Sequence, residues 1–248
     1  MKRMFPMILL FALLLCVPVR ADELTLDAPS ALLMEKQTGT VLFAQDEHTP
    51  REPASVTKVM TLLLTMEAID SGALSYDDTV TGSAHAASMG GSQIWLKEGE
   101  QMRVEDLIKA VCVVSGNDAA VAIACHVAGS MEAFAALMNE RARELGCTDT
   151  HFVTPNGLPD DDHYTTAADL CRIACAAMQN EAFAALVGTT YHETSSGDKT
   201  RTLKNKNKVL WQYEGGCGVK TGYTKEAGRC LVTSAERGGM TLVCTVLN

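Results

Sequence analysis

From Val56 to Met66 the chain reads Val-Thr-Lys-Val-Met-Thr-Leu-Leu-Leu-Thr-Met. Wound as a helix, this run has no polar face, and a helix apolar all round is a buried one. Any fold that accepts it must therefore enclose it. Ser55 stands at its mouth and Lys58 three residues further in, and residues i and i+3 share a helix face. A hydroxyl and an amine held together at a buried helix start can do chemistry. A bare S-x-x-K is nonetheless common: Ser55 also reads as an N-cap and Lys58 as a snorkelling side chain.

The flanks suggest what encloses the helix. Ser30 to Glu35 and Thr40 to Ala44 are β-rich runs around Lys36-Gln37-Thr38-Gly39 and read as a hairpin. From about residue 73 to about residue 180 the pattern is mainly helical. Apolar helices end at Ser115-Gly116-Asn117-Asp118 and at Gly129, and an amphipathic one runs from Met131 to Leu145. Phe152 to Tyr164 reads as loop, and Asp160-Asp161-Asp162 lacks the layout of a calcium loop. Gly215 to Tyr223, Arg229 to Ala235 and Met240 to Leu247 read as strands. Strands at both ends and helices between them predict an α/β (α+β) fold: one antiparallel sheet built from the two chain ends, with a helical subdomain inserted. A sheet needs cover on both faces, and no helix follows the last strand. The 248 residues therefore read as part of a longer chain, and 22–248 alone as unstable or weakly active.

Residues 1–21 carry Lys2 and Arg3, an apolar run from Met4 to Val17, and Val19 and Ala21 before a cleavage point. This is the layout of a signal peptide, too short to span a bilayer. It predicts an exported protein whose folded domain is residues 22–248. Taking Lys2, Arg3 and Arg20 from the 21 basic residues leaves 18 against 30 acidic ones, a net charge of −12. So acidic a chain is a poor nucleic-acid binder. Cys171 and Cys175, one helical turn apart, are badly placed for an unstrained bridge; the cysteines read as buried free thiols. No Cys/His spacing suggests a metal site. The histidines at 48, 85, 126, 151, 163 and 192 are scattered, and none is assigned to catalysis.

Two more polar islands sit in apolar or glycine-rich surroundings: Ser115-Gly116-Asn117 between two helices, and Lys220-Thr221-Gly222 on a strand. The order S-x-x-K, S-x-N, K-T-G is the motif set of penicillin-binding proteins and serine β-lactamases. The chain resembles the low-molecular-mass penicillin-binding proteins, the serine-type D-alanyl-D-alanine carboxypeptidases. The likeness extends through Arg51 to Lys58, Ser115 to Ala120, Pro155-Asn156-Gly157-Leu158, Asn205 to Trp211 and Gly218 to Thr224.

That resemblance implies a β-lactamase/transpeptidase-like fold and an acyl-enzyme on Ser55. Lys58 would take the Ser55 proton, with a pKa lowered by burial and by the Lys220 cation. Ser115 would relay a proton to the leaving amine. Asn117 would hold the substrate backbone, Thr221 its terminal carboxylate, and Gly222 would leave room for substrate along the strand. The N–H groups of Ser55 and Tyr223 would form an oxyanion hole. The implied partners are peptidoglycan stem peptides ending in D-Ala-D-Ala and, as covalent inhibitors, β-lactams, with no cofactor. Membrane contact would come only through a segment beyond Asn248. A serine β-lactamase is the nearest rival. Yet no glutamate between Asn117 and Lys220 lies in the E-x-x-L-N setting that class A enzymes use for deacylation. A non-catalytic peptidoglycan-binding module is another alternative, and an endopeptidase a closer one. The basic run Lys199, Arg201, Lys204, Lys206, Lys208 fits either a solvated edge or a contact with an anionic substrate.

Overall fold

The computed structural model describes residues 26–248; the signal-peptide expectation lies outside them. Strand β1 (Ser30–Glu35) turns into β2 (Val41–Gln45). The turn is closed by the Glu35 carboxylate, which accepts from the Thr38 N–H at 2.6 Å and the Thr38 hydroxyl at 2.7 Å. Strands β7 (Gly216–Thr224), β8 (Gly228–Arg237) and β9 (Met240–Leu247) come from the other end of the sequence. The five form one antiparallel sheet in the order β2-β1-β9-β8-β7, with Ser30 opposite Leu247 and Glu35 opposite Leu242. The sheet is thus built from the two chain ends, as the sequence predicts.

Alternation along β9 shows which face is covered. Thr241, Val243, Thr245 and Leu247 are buried, while Leu242, Cys244 and Val246 are half-buried. The buried face packs on the helix Ala167–Ala177, which Thr166 caps through its hydroxyl to the Asp169 N–H.

Between the sheet halves lie helix α1 (Lys58–Asp70), the short α2 (Ala84–Ala87), α3 (Val104–Val113), α4 (Asn117–Ala128), α5 (Met131–Glu144), α6 (Ala167–Ala177) and α7 (Glu181–Val187). Helix α1 touches α3, α4, α5, α6, α7 and strand β7. Val59, Met60, Leu62, Leu63 and Met66 are all buried in it. Burial of such side chains contributes about 1.5–3 kcal/mol each, which is why a helix without a polar face sits at the centre. Two two-stranded ribbons interrupt the helical scheme: β3 (Thr79–Thr81) with β4 (Gln101–Arg103), and β5 (Tyr191–Ser196) with β6 (Lys199–Lys204). All eight cysteines among the described residues are free thiols. Burial pushes the Cys112 thiol up to about 12, so it stays protonated and behaves as a small apolar side chain.

Candidate active site

The helix does not begin at Ser55. Residues Ala54–Thr57 form one tight 3₁₀ turn, and α1 starts at Lys58. Ser55 caps nothing, since no side-chain cap bond is made at this helix start. Its hydroxyl instead accepts from Lys58 Nζ at 2.9 Å. The same ammonium reaches Asn117 Oδ1 at 2.7 Å and the Asn156 carbonyl at 2.6 Å. Lys58 is therefore fully buried with three acceptors and no carboxylate among them. Burial holds its pKa well below the usual lysine range, the Lys220 and Lys206 cations lower it further, and Asp118 opposes them. This lysine can act as a base next to a serine hydroxyl.

The second island is a strained junction. Ser115 adopts φ 65°, a left-handed conformation that non-glycine residues rarely take. It ends α3 and turns the chain into α4. Ser115 is buried, and its hydroxyl has no hydrogen-bond partner. An orphan hydroxyl is costly unless a ligand or proton transfer uses it. Asn117 is occupied at both ends of its amide, for its Nδ2 donates to the Gly90 carbonyl at 2.7 Å. The side chain thus ties Lys58 to the Gly90 carbonyl. Asp118, which the sequence reading passed over, accepts from the backbone N–H groups of Ile94, Leu96 and Ala119 at 2.9–3.2 Å. It fixes the segment around Trp95, itself left-handed at φ 60°.

The third island runs along β7 beside the Ser55 turn. Lys220 is buried, and its Nζ donates to the Thr221 carbonyl at 2.8 Å. Burial lowers its pKa to about 8, partly opposed by Cys112 and aided by Lys206. It lies within electrostatic reach of Lys58. Thr221 is half-buried and Tyr223 exposed. Gly222 has a packing reason for its missing side chain besides the expected room for substrate. A Cβ there would meet the Pro53 carbonyl at 3.0 Å and the Ser55 and Val56 nitrogens at 3.1 Å. The clearance lets β7 pack against the Ser55 turn itself. Gly157, at φ 76°, does the same from the other side, where a Cβ would fall 1.9 Å from the Ala54 carbonyl.

The basic run is mixed: Lys204, Lys206 and Lys208 are exposed, as a solvated edge would be, while Lys199 is half-buried. Arg201 is buried, donating to the Ile94 carbonyl at 2.8 Å and to Glu100 at 2.6 Å. Lys199 donates to the Trp95 carbonyl at 2.6 Å and Lys206 to the Ser92 hydroxyl at 2.9 Å. Lys204 lies over the rings of Tyr191 and Trp211. Lys199 and Arg201 stitch the β5–β6 ribbon, and Lys206 the residues just after it, to the segment 89–101 that flanks the site.

The family model for D-alanyl-D-alanine carboxypeptidase matches residues 18–248. The chain belongs to the D-alanyl-D-alanine carboxypeptidase family. It is 44% identical over 229 residues to D-alanyl-D-alanine carboxypeptidase DacF of Bacillus subtilis, covering 92% of this chain and 59% of that protein. It is 36% identical to D-alanyl-D-alanine carboxypeptidase DacA of Escherichia coli strain K12, covering 90% and 56% respectively. The chain thus spans about three-fifths of the length of these relatives. Among solved structures, D-alanyl-D-alanine carboxypeptidase DacD from Francisella tularensis matches with a TM-score of 0.88 at 31% identity, over 93% of this chain and 68% of that one. A mutant of the Streptomyces K15 DD-transpeptidase matches with a TM-score of 0.84 at 32% identity, over 91% and 92%. The fold is the β-lactamase/transpeptidase fold of these DD-peptidases.

Proposed function

We propose that this chain carries the active site of an exported serine DD-carboxypeptidase that removes the terminal D-Ala from peptidoglycan stem pentapeptides. The observation that carries the reading is Lys58: fully buried, held below its usual pKa, and bonded to Ser55 Oγ at 2.9 Å. Ser55 Oγ attacks the carbonyl carbon of the penultimate D-Ala as Lys58 takes its proton. The oxyanion forms against the N–H groups of Ser55 and Tyr223. The tetrahedral species collapses, the C–N bond breaks, and the proton passes through the Ser115 hydroxyl to the amine of the departing D-Ala. Water then attacks the ester carbonyl while Lys58 takes its proton. The ester C–O bond breaks, and Lys58 passes that proton to Ser55 Oγ. The shortened peptide leaves with a new carboxylate, which restores Ser55 and neutral Lys58. Lys220 and Thr221 attract the terminal carboxylate of the substrate. Asn117 aligns Lys58 and, with substrate bound, turns its amide toward the peptide backbone.

A β-lactam enters the same sequence by ring opening on Ser55 and leaves slowly, since no glutamate between Asn117 and Lys220 lies in the E-x-x-L-N setting that class A enzymes use for deacylation. The match to a DD-transpeptidase over nearly its whole length supports a second reading, in which an amine takes the place of water on the acyl-enzyme. Supply of a D-Ala-D-Ala pentapeptide, with and without an acceptor amine, separates the two. Free D-Ala accompanied by tetrapeptide supports hydrolysis. D-Ala accompanied by an amide adduct supports transfer. No D-Ala release, together with no β-lactam adduct, overturns both.

A further inference from the structure

His163 is buried and carries no part of the chemistry above, yet both of its ring nitrogens are committed. Nδ1 accepts from the Val153 N–H at 2.9 Å and from the Thr154 N–H at 3.3 Å. A nitrogen that accepts carries no proton, so the ring proton sits on Nε2. Nε2 lies 2.8 Å from Thr57 Oγ1 and donates to it. The Thr57 hydroxyl in turn donates to the Ala54 carbonyl at 2.8 Å. Ala54 immediately precedes Ser55 and holds φ 49°, a left-handed conformation alanine does not choose for itself.

Three observations therefore converge on one carbonyl: a relay of two donors in fixed order, a strained residue beside the nucleophile, and Gly157, whose bare Cα permits the close approach from the other side. We infer that His163, through Thr57, is a positioning residue that locks the Ala54 peptide and so aims the Ser55 hydroxyl at Lys58. The same histidine organises the loop that follows Val153, which supplies the Asn156 carbonyl to Lys58. The charged and titratable groups that face it are Asp160, His151 and Lys58. A protonated ring would turn an Nδ1–H toward two N–H donors, so the relay works only with a neutral histidine.

The inference rests on the acyl-enzyme reading of Ser55, and the test separates the two. A chromogenic β-lactam is mixed with the protein and with Thr57→Val, Thr57→Ser, His163→Asn and His163→Gln. The saturating acylation rate constant and the half-saturating concentration are read separately. Valine keeps the shape of Thr57 without its hydroxyl. Asparagine can satisfy the Nδ1 position but not the Nε2 donor, and glutamine the reverse. The expected result is a fall of about 10- to 100-fold in the rate constant for Thr57→Val and for His163→Asn, with the half-saturating concentration little changed. Thr57→Ser and His163→Gln should recover most of the loss. The double variant Thr57→Val/His163→Asn should be no slower than either single one. Wild-type rates in Thr57→Val, additive losses in the double variant, or no recovery with serine overturn the inference. If a histidine variant does not fold, the Thr57 pair decides. An unmodified wild-type protein would instead reject the Ser55 reading itself.

Discussion

Lys58 and Asn117 are bonded at 2.7 Å, and that contact links the first two motifs into one unit. The amide oxygen gives the buried ammonium a neutral acceptor. A carboxylate in the same place would stabilise the charged form and spoil the base. The second acceptor of this kind is the Asn156 carbonyl. Neutral acceptors and neighbouring cations together leave Lys58 close to giving up its proton, and the cations can be tested one at a time.

Lys206 lowers the pKa of both Lys58 and Lys220. Replacing it with glutamine keeps much of its length and removes its charge. Lys58 then holds its proton to higher pH, so the acid limb of the acylation pH profile should move upward. Rates of β-lactam acylation measured across pH for wild type and Lys206→Gln provide the check. A limb that stays put or moves down would show that this charge does not tune the base.

Gly157 is a tightly confined position beside the Ser55 turn. An alanine there faces both a left-handed backbone and a carbonyl 1.9 Å from its Cβ. Gly157→Ala should cost about 2–5 kcal/mol in a denaturant titration and slow acylation as the Ser55 turn shifts. Unaltered stability would mean that the loop yields more easily than its packing implies.

His163 should leave a mark on stability against pH. Burial lowers its pKa from about 6.5 to about 4. The unfolded chain therefore binds more protons than the folded one between those values. The contribution is complete above about pH 6.5 and is lost as pH falls toward 4, to a total of about 3 kcal/mol. His163→Gln, which cannot titrate, should show a flatter stability curve over that window. Identical slopes for the two proteins would contradict the assignment.

Asp118 holds the backbone on either side of Trp95. Asp118→Asn has one acceptor oxygen where the carboxylate has two. The Ile94 and Leu96 amides should then exchange hydrogen faster while core amides in α1 do not. Equal protection at 94 and 96 in both proteins would assign the staple to Arg201 and Lys199 instead.

The sequence carried the large features because each has a periodic or chemical signature. The apolar run after Lys58 demanded enclosure, and the alternation in β7, β8 and β9 placed a sheet at the chain end. Three polar islands stood out against their surroundings. What escaped has no such signature. The acceptor at Asn156 is a backbone carbonyl, which any residue could supply. The relay through Thr57 and His163 joins residues 106 positions apart, and neither looks unusual in its own segment. The β5–β6 ribbon is mostly polar, so its basic run looked solvated or substrate-bound until Arg201 proved to be buried against Glu100. Gly222 was read as room for a substrate; the close approach that the structure shows there is that of the Ser55 turn, a partner that one sequence does not reveal.

The central claim is that Ser55 becomes acylated because Lys58 takes its proton. The direct measurement is intact-mass and peptide-mapping spectrometry of the protein after brief exposure to benzylpenicillin, repeated with Lys58→Ala. The account predicts one covalent adduct, located on Ser55, whose formation slows by about 10²–10⁴-fold without Lys58. An adduct on another residue, or acylation of Lys58→Ala at the wild-type rate, would contradict it.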